Sequence, residues 1–245
     1  MELAEVARRA AAGFGPGLIQ GPECSRAFVT IVVAAGIVLV GAQGAGAGTV
    51  TGRVSVTQRG GRLLQPLQSV LVFVDGVRVR VDPTQVSIEM KGKKFLPHVV
   101  VVPVGSTVRF PNLDPIHHNA FSVSGPNRFD LELYRRPHSR AVSFDFPGVV
   151  RVFCNIHPQM SAIVLVRDNP YFAWAQPDGT FALTGVPPGR HTLKAWQEQA
   201  GEASIEVIVP PDGEVRVALA LAASRYRPAR HKNKYGRDYH PAAHY

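Results

Sequence analysis

Between Val86 and Val166, short apolar runs are broken by turn residues about every 8–12 residues, the spacing of strands in an all-β sandwich. The runs are Val99-Val100-Val101-Val102, Thr107-Val108-Arg109-Phe110, Ala141 to Phe146, Val149 to Cys154 and Ala162 to Val166. Pro103-Val104-Gly105-Ser106 and Pro111-Asn112-Leu113-Asp114-Pro115 interrupt them. Such residues stop a strand because Pro removes a ladder donor and Gly supplies turn geometry. No amphipathic helical period runs through the region, so stacked sheets are the expected architecture. The four valines at 99–102 read as a strand buried too completely to alternate.

Thr49 to Val56 alternates apolar with polar residues, as a half-buried strand does. Gly60-Gly61 marks a turn, and Val70-Leu71-Val72-Phe73-Val74 is a strand closed by Asp75-Gly76. Val77 to Val81, alternating with Arg78 and Arg80, reads as an edge strand or a solvated face. Asn169-Pro170 marks a boundary. Beyond it, Tyr171 to Leu221 forms another small β unit with turns at Asp178-Gly179, Pro187-Pro188-Gly189 and Pro211-Asp212-Gly213. The expected segments are therefore 1–47, 48–81, 82–169, 170–222 and a tail at 223–245, with 48–81 able to join the 170–222 unit.

The first of these is a targeting segment. Arg26 precedes an apolar run over 27–42, and the small residues Gly44-Ala45-Gly46-Ala47-Gly48 follow it. That order describes a secretory signal peptide, cleaved near Ala45 or Ala47, and a periplasmic or otherwise exported product. An uncleaved anchor is the alternative, although the run is shorter than the roughly 20 apolar residues of a membrane span. Contact with a membrane is expected only in that case. Cys24 would leave with the signal, so the exported part holds Cys154 alone and can form no internal disulfide. An unpaired thiol in an oxidising compartment is a liability unless a metal occupies it. The net charge of +9 would suit nucleic acid, but export argues against that partner.

Cys154-Asn155-Ile156-His157-Pro158-Gln159-Met160 places a thiolate, an imidazole and a thioether three residues apart in turn. Together with one more His, these are the ligand types of a mononuclear blue-copper site. The thiolate gives a covalent copper bond, two imidazoles complete a trigonal plane, and Met160 sits as a weak axial ligand favouring Cu(I). Pro158 stiffens the loop. The second His comes from His117-His118, of which only one can face the metal, because neighbours on a strand point to opposite faces. Taken singly, Cys154 or Met160 would be core filler and His157 a surface residue. Zinc suits the set less well, since closed zinc sites rarely use thioether. A binuclear copper site would need a second cysteine.

With Phe146-Pro147-Gly148, Val152-Phe153 before Cys154, and Asn119 after His118, the region from Asp82 to Arg167 resembles the cupredoxin family. The Cys-x-x-His-x-x-Met loop is similar to that of amicyanin, whereas plastocyanin and pseudoazurin have a longer His-to-Met gap. The resemblance implies an eight-stranded Greek-key β-sandwich, His118 as the upstream ligand with His117 facing outward, and outer-sphere electron transfer. It thus implies one type 1 copper ion held by His118, Cys154, His157 and Met160. The whole exported sequence also resembles bacterial proteins labelled methylamine-utilisation-like or plastocyanin-like. Asp178 to Leu193, with Thr49 to Val74, resembles the carboxypeptidase-regulatory-like domain, a small prealbumin-like β-sandwich that is generally non-catalytic. The cupredoxin part would then be inserted into a sandwich built from both flanks.

On this reading the chain is an electron carrier and not an enzyme, serving an unidentified redox partner protein. A copper storage or delivery protein is the alternative, or an interaction module whose copper is structural. His157 is expected nearest the surface as the electron port, rimmed by Leu113, Pro158 and Phe95. Met90 and His98 are expected at surface or edge positions, and His138 and His191 in solvent. The tail carries Arg225, Arg227, Arg230, Lys232, Lys234 and Arg237 against Asp238, so five of the nine excess positive charges lie there. It reads as a flexible solubilising end. Docking to an acidic partner or a membrane surface, or copper capture by His231, His240 and His244, are sharper readings.

Overall fold

The computed structural model describes residues 46–67, 69–223 and 231–239. The signal-like segment up to residue 45, and with it Cys24, lies outside the described residues. Among those described, no helix is long and apolar enough to cross a membrane.

The chain is all-β. Strands from both flanks build one sandwich. In its first sheet Gly48–Thr57 lies between Thr180–Val186, antiparallel, and Glu214–Ala222, parallel. The second sheet runs Phe172–Trp174, Leu71–Asp75, Gly189–Gln197 and Gly201–Val209. The alternation read in Thr49 to Val56 turns Val50, Val54 and Val56 inward, where they pack with Val72, Val74, Leu183, Leu193, Val207 and Leu219. Gly52 falls on the same inward face, and a Cβ there would lie 2.1 Å from the Val217 carbonyl oxygen and 2.9 Å from the Phe181 ring. A missing side chain lets Phe181 close the core at that point.

The middle of the chain forms a second sandwich. One sheet orders Ser139–Phe144, Ser106–Pro111 and Gln85–Ser87. The other orders Val99–Pro103, Ser161–Arg167, Gly148–Phe153, Phe121–Ser122 and Phe129–Asp130. Their shared core includes Val108, Phe110, Phe144, Val150, Val152 and Val164.

The strand Ser161–Arg167 is buried from Ala162 onward because both its faces are covered. Ala162, Val164 and Val166 enter the core just described. Ile163 and Leu165 point the other way, against Leu71, Phe73 and Trp196 of the flanking sheet. The period of two thus divides one strand between two cores. Asn169 fixes the junction: its amide donates to the carbonyls of Val74 and Val77, and its Oδ1 accepts from the Tyr171 amide.

One expectation needs correction, and one left open is decided. Val99, Val100 and Val101 are only half-buried. The strand does have apolar neighbours on both faces, but it forms the edge of its sheet, where one flank stays open. Of the two readings of Val77 to Val81, the solvated one holds: the segment makes no strand, and Arg78, Val79 and Arg80 are exposed. Alternation gives a strand only where a neighbour completes its hydrogen-bond ladder, and no described strand pairs with this segment.

Candidate metal centre

Cys154 follows Gly148–Phe153, where alternation turns Val150, Val152 and then Cys154 into the core. The next strand starts at Ser161, paired with Phe153, so residues 154–160 are a hairpin loop. The Cys154 amide donates to the Met160 carbonyl at 3.3 Å, and the Met160 amide to the His157 carbonyl at 3.0 Å. These bonds fold the loop back so that its first and last side chains enter the same core, where both are fully buried.

His118 arrives from another segment. Its backbone pairs with Tyr134 in both directions, at 3.0 and 2.9 Å. The Asn112 amide holds the preceding loop by donating to the carbonyls of Ile116 and Tyr134. Asn119 then joins this segment to the Cys154 loop, its Oδ1 accepting from the Asn155 amide at 2.6 Å.

His118 Nδ1, His157 Nδ1 and Cys154 Sγ converge, with the ligand atoms of the three residues all within 4.8 Å of one another. The two Nδ1 atoms are 3.0 Å apart, and Sγ is 3.7 Å from that of His157. His118 is fully buried, and His157 is 4% exposed. Behind His118, Nε2 lies 2.8 Å from Asp114 Oδ2. The Asp114 carboxylate also accepts from the amides of Gly92 and Lys93.

The electrostatics follow from burial and these partners. Burial raises the Asp114 pKa, but the Lys93 and Gly92 amides and His118 outweigh it and hold the carboxyl below its usual range. Asp114 is thus ionised and takes the Nε2–H of His118, which leaves the His118 Nδ1 lone pair aimed into the site. Burial pushes the Cys154 thiol up, opposed by the amides of Asn119, Ile156 and His157. Burial, with the neighbouring His118 ring and the Lys93 charge, brings His157 down to about 4.

A metal fits this arrangement. Between two facing Nδ1 atoms, one proton fills the gap in the metal-free protein, and a cation can replace it. A sulfur and two imidazole nitrogens in a dry pocket suit a soft or borderline ion. The sulfur already faces amide donors that favour its anionic form.

Of the residues singled out from the sequence, the fold brings His118, Cys154 and His157 together, with Met160 in the core that contains Cys154. His117 is exposed, and so are Leu113, Pro158, His98 and His138. Four expectations differ. Met90 is not a surface residue but fully buried, and Phe95 is no rim residue, since it packs edge-on against Phe110 in the core. His157 is the least buried of the four candidate ligands, but it offers no open port, because its Nε2 is buried and has no hydrogen-bond partner among the described residues. His191 is half-buried, with Nε2 2.7 Å from the Pro187 carbonyl oxygen.

The tail also differs from expectation. Residues 231–239 lie against the hairpin loop, with His231 Nε2 2.7 Å from the Pro158 carbonyl oxygen and Tyr239 donating to the Cys154 carbonyl. His240 and His244 lie outside the described residues. Sequence reasoning missed the roles of Asp114, Tyr239 and Lys234: Asp114 meets His118 only through the shape of their loop, and the other two act on partners distant in sequence.

No protein-family model matches the chain, and no curated protein matches it. Among solved structures it is similar to a purple cupredoxin from Nitrosopumilus maritimus, at 22% identity over 34% of this chain and 99% of that one, with a TM-score of 0.30. Amicyanin from Paracoccus versutus is 24% identical over 39% of this chain and 97% of that one, with a TM-score of 0.31. A copper-containing nitrite reductase from Thermus scotoductus SA-01 is 27% identical over 47% of this chain, with a TM-score of 0.33, and the match spans 28% of that protein's length. Each of these overlaps leaves more than half of this chain unmatched.

Proposed function

We propose that the chain is an exported, cupredoxin-like copper protein that carries single electrons, in which His118, Cys154 and His157 would hold the metal and the Met160 thioether would add a weaker donor. The observation that supports this most is the convergence of two Nδ1 atoms and one Sγ from separate segments in a buried position. Bound copper would supply a one-electron couple. The residues do the rest. Asp114 orients His118, the Asn119–Asn155 bond ties the His118 segment to the Cys154 loop, and the loop's own backbone bonds hold Cys154 against Met160. A site held from several sides changes shape little between redox states, which keeps electron transfer fast.

In this reading the partner is a redox protein of the same extracytoplasmic compartment, and the chain itself turns over no substrate. The flanking sandwich serves as scaffold or docking surface, in the manner of carboxypeptidase-regulatory-like domains. One observation favours a second reading, copper storage or delivery. The sealed Nε2 of His157 offers no ligand edge to a docked protein.

The test is to load the protein with Cu(II) and follow its visible spectrum through reduction and reoxidation. An intense thiolate-to-copper band that bleaches reversibly with a mild reductant, and is lost in Cys154→Ser, is the expected result. A colourless product, or a band that survives Cys154→Ser, overturns the assignment. Slow or irreversible bleaching selects storage.

A further inference from the structure

The segment 231–239 is a structured turn. Asn233 Oδ1 accepts from the amides of Tyr235 and Arg237, and the Asn233 amide donates to the Arg237 carbonyl. The hydrogen bonds that leave this segment end on Cys154, Asn155, Pro158, Asp130 and Glu132. These targets lie in the metal-binding loop or in the strand and turn beside the His118 segment.

Two residues grip the loop directly. Tyr239 donates its phenol hydrogen to the Cys154 carbonyl at 2.7 Å. The His231 ring stacks on Phe153 with centroids 4.1 Å apart, while its Nε2 reaches the Pro158 carbonyl. Tyr239 and His231 also meet, with Oη 3.2 Å from Nδ1. The loop is therefore held at its first residue and again beside His157.

A third residue closes a circuit. The Lys234 amide donates to Asn155 Oδ1, and the Asn155 amide donates to Asn119 Oδ1. Asn119 Nδ2 donates to Asp130 Oδ1, and Asp130 Oδ2 accepts from Lys234 Nζ at 2.7 Å. The ring passes through the tail, the loop after Cys154, the residue after His118 and the strand opposite. Every member is both held and holding, so the two ligand-bearing segments are fixed relative to each other.

We propose that residues 231–239 are a strap that sets the metal-binding loop in its ligand-ready shape, with Tyr239 and His231 as positioning residues. The strap acts through the Cys154 and Pro158 carbonyls, the Asn155 side chain and the Phe153 ring, and it makes no hydrogen bond to a ligand atom. It lowers the cost of ordering the loop when metal arrives and slows the loop's opening for release. The inference rests on the metal-centre reading for its purpose, but not for the geometry that carries it.

The test uses the full chain carrying Tyr239→Phe, which deletes one hydroxyl, and His231→Phe, which keeps a ring on Phe153 but loses the bond to Pro158. Tyr235→Phe, in the exposed part of the strap, is the control. Hydrogen exchange at the amides of 155–157, 159 and 160 in the metal-free protein is one readout, and copper release to a chelator is the second. The position of the thiolate-to-copper band is a third, which general destabilisation alone would not move. Each lost hydrogen bond is expected to speed loop exchange and release by roughly three- to tenfold, and Tyr235→Phe to change neither. Rates and band equal to wild type in the Tyr239→Phe/His231→Phe double variant overturn the strap. Faster exchange in a protein that forms no blue copper complex leaves the strap standing and removes the electron-carrier reading. Blue copper with unchanged exchange does the reverse.

Discussion

His118 and His157 face each other through their Nδ1 atoms at 3.0 Å, although they come from different segments and His118 is fully buried. Two imidazoles meet this way when one proton or one cation lies between them. With the opposite nitrogen of His118 committed to Asp114, the pair is aimed at a common centre, and Cys154 closes the third side.

His118→Ala is expected to abolish the thiolate-to-copper band, and His117→Ala to leave it intact, since His117 is exposed and outside the cluster. Copper titration followed by visible absorption checks this. Equal loss in both variants would reject the assignment of the upstream ligand.

Asp114→Ala removes the acceptor that orients His118 and leaves the Gly92 and Lys93 amides without their carboxylate. Metal affinity should fall by roughly 10- to 100-fold, the usual cost of losing a ligand's hydrogen-bonded support. A competition titration with a chelator reads it. The copper stoichiometry should remain unchanged, because the ligands are still present.

His98 and Glu198 join the two sandwiches at 2.9 Å. The hydrogen bond to Glu198 raises the His98 pKa against the opposing effect of burial, and the same bond lowers that of Glu198. Stability from the raised His98 is full below its unfolded value of 6.5 and is lost as pH rises through the folded one. Stability from the depressed Glu198 is full above its unfolded value of 4.5 and is lost as pH falls through the folded one. The pair therefore contributes most between 4.5 and 6.5. Both groups are partly exposed, so the contribution is about 1 kcal/mol or less. Urea unfolding of His98→Gln should show its largest deficit against wild type inside that window and a vanishing one in alkali.

Leu165 belongs to the apolar layer between the sandwiches, with Leu71, Phe73 and Trp196. Leu165→Ala is expected to cost about 2–5 kcal/mol, from lost transfer energy plus the cavity left behind. Because Leu165 faces away from the core that contains Cys154, loaded protein should keep its copper spectrum below the lowered melting temperature. Thermal unfolding and absorption measured on one sample separate the two effects.

How much of this was legible in advance differs from residue to residue. The alternation in Thr49 to Val56 and the turns at Asp178-Gly179 and Pro211-Asp212-Gly213 correspond to strands and reversals in the structure, because period and turn chemistry are local. The same alternation in Val77 to Val81 fits an edge strand and a solvated face equally, and the segment is solvated because no described strand pairs with it. The burial of Met90 and Phe95 has no such local sign, because it depends on what packs over a residue from elsewhere in the chain.

The candidate site divides the same way. The soft donor set and the seven-residue loop that carries Cys154, His157 and Met160 can be read directly, since residue type and spacing are chemistry written along the chain. Which atoms meet depends on the folded chain: His118 turns Nδ1 inward with Asp114 behind it, the tip of His157 is closed off, and Tyr239 reaches the Cys154 carbonyl from 85 residues away. A hydrogen bond to a peptide carbonyl needs a donor of the right geometry and leaves no signature at the acceptor's own position. Distant partners enter only once the sheets have stacked.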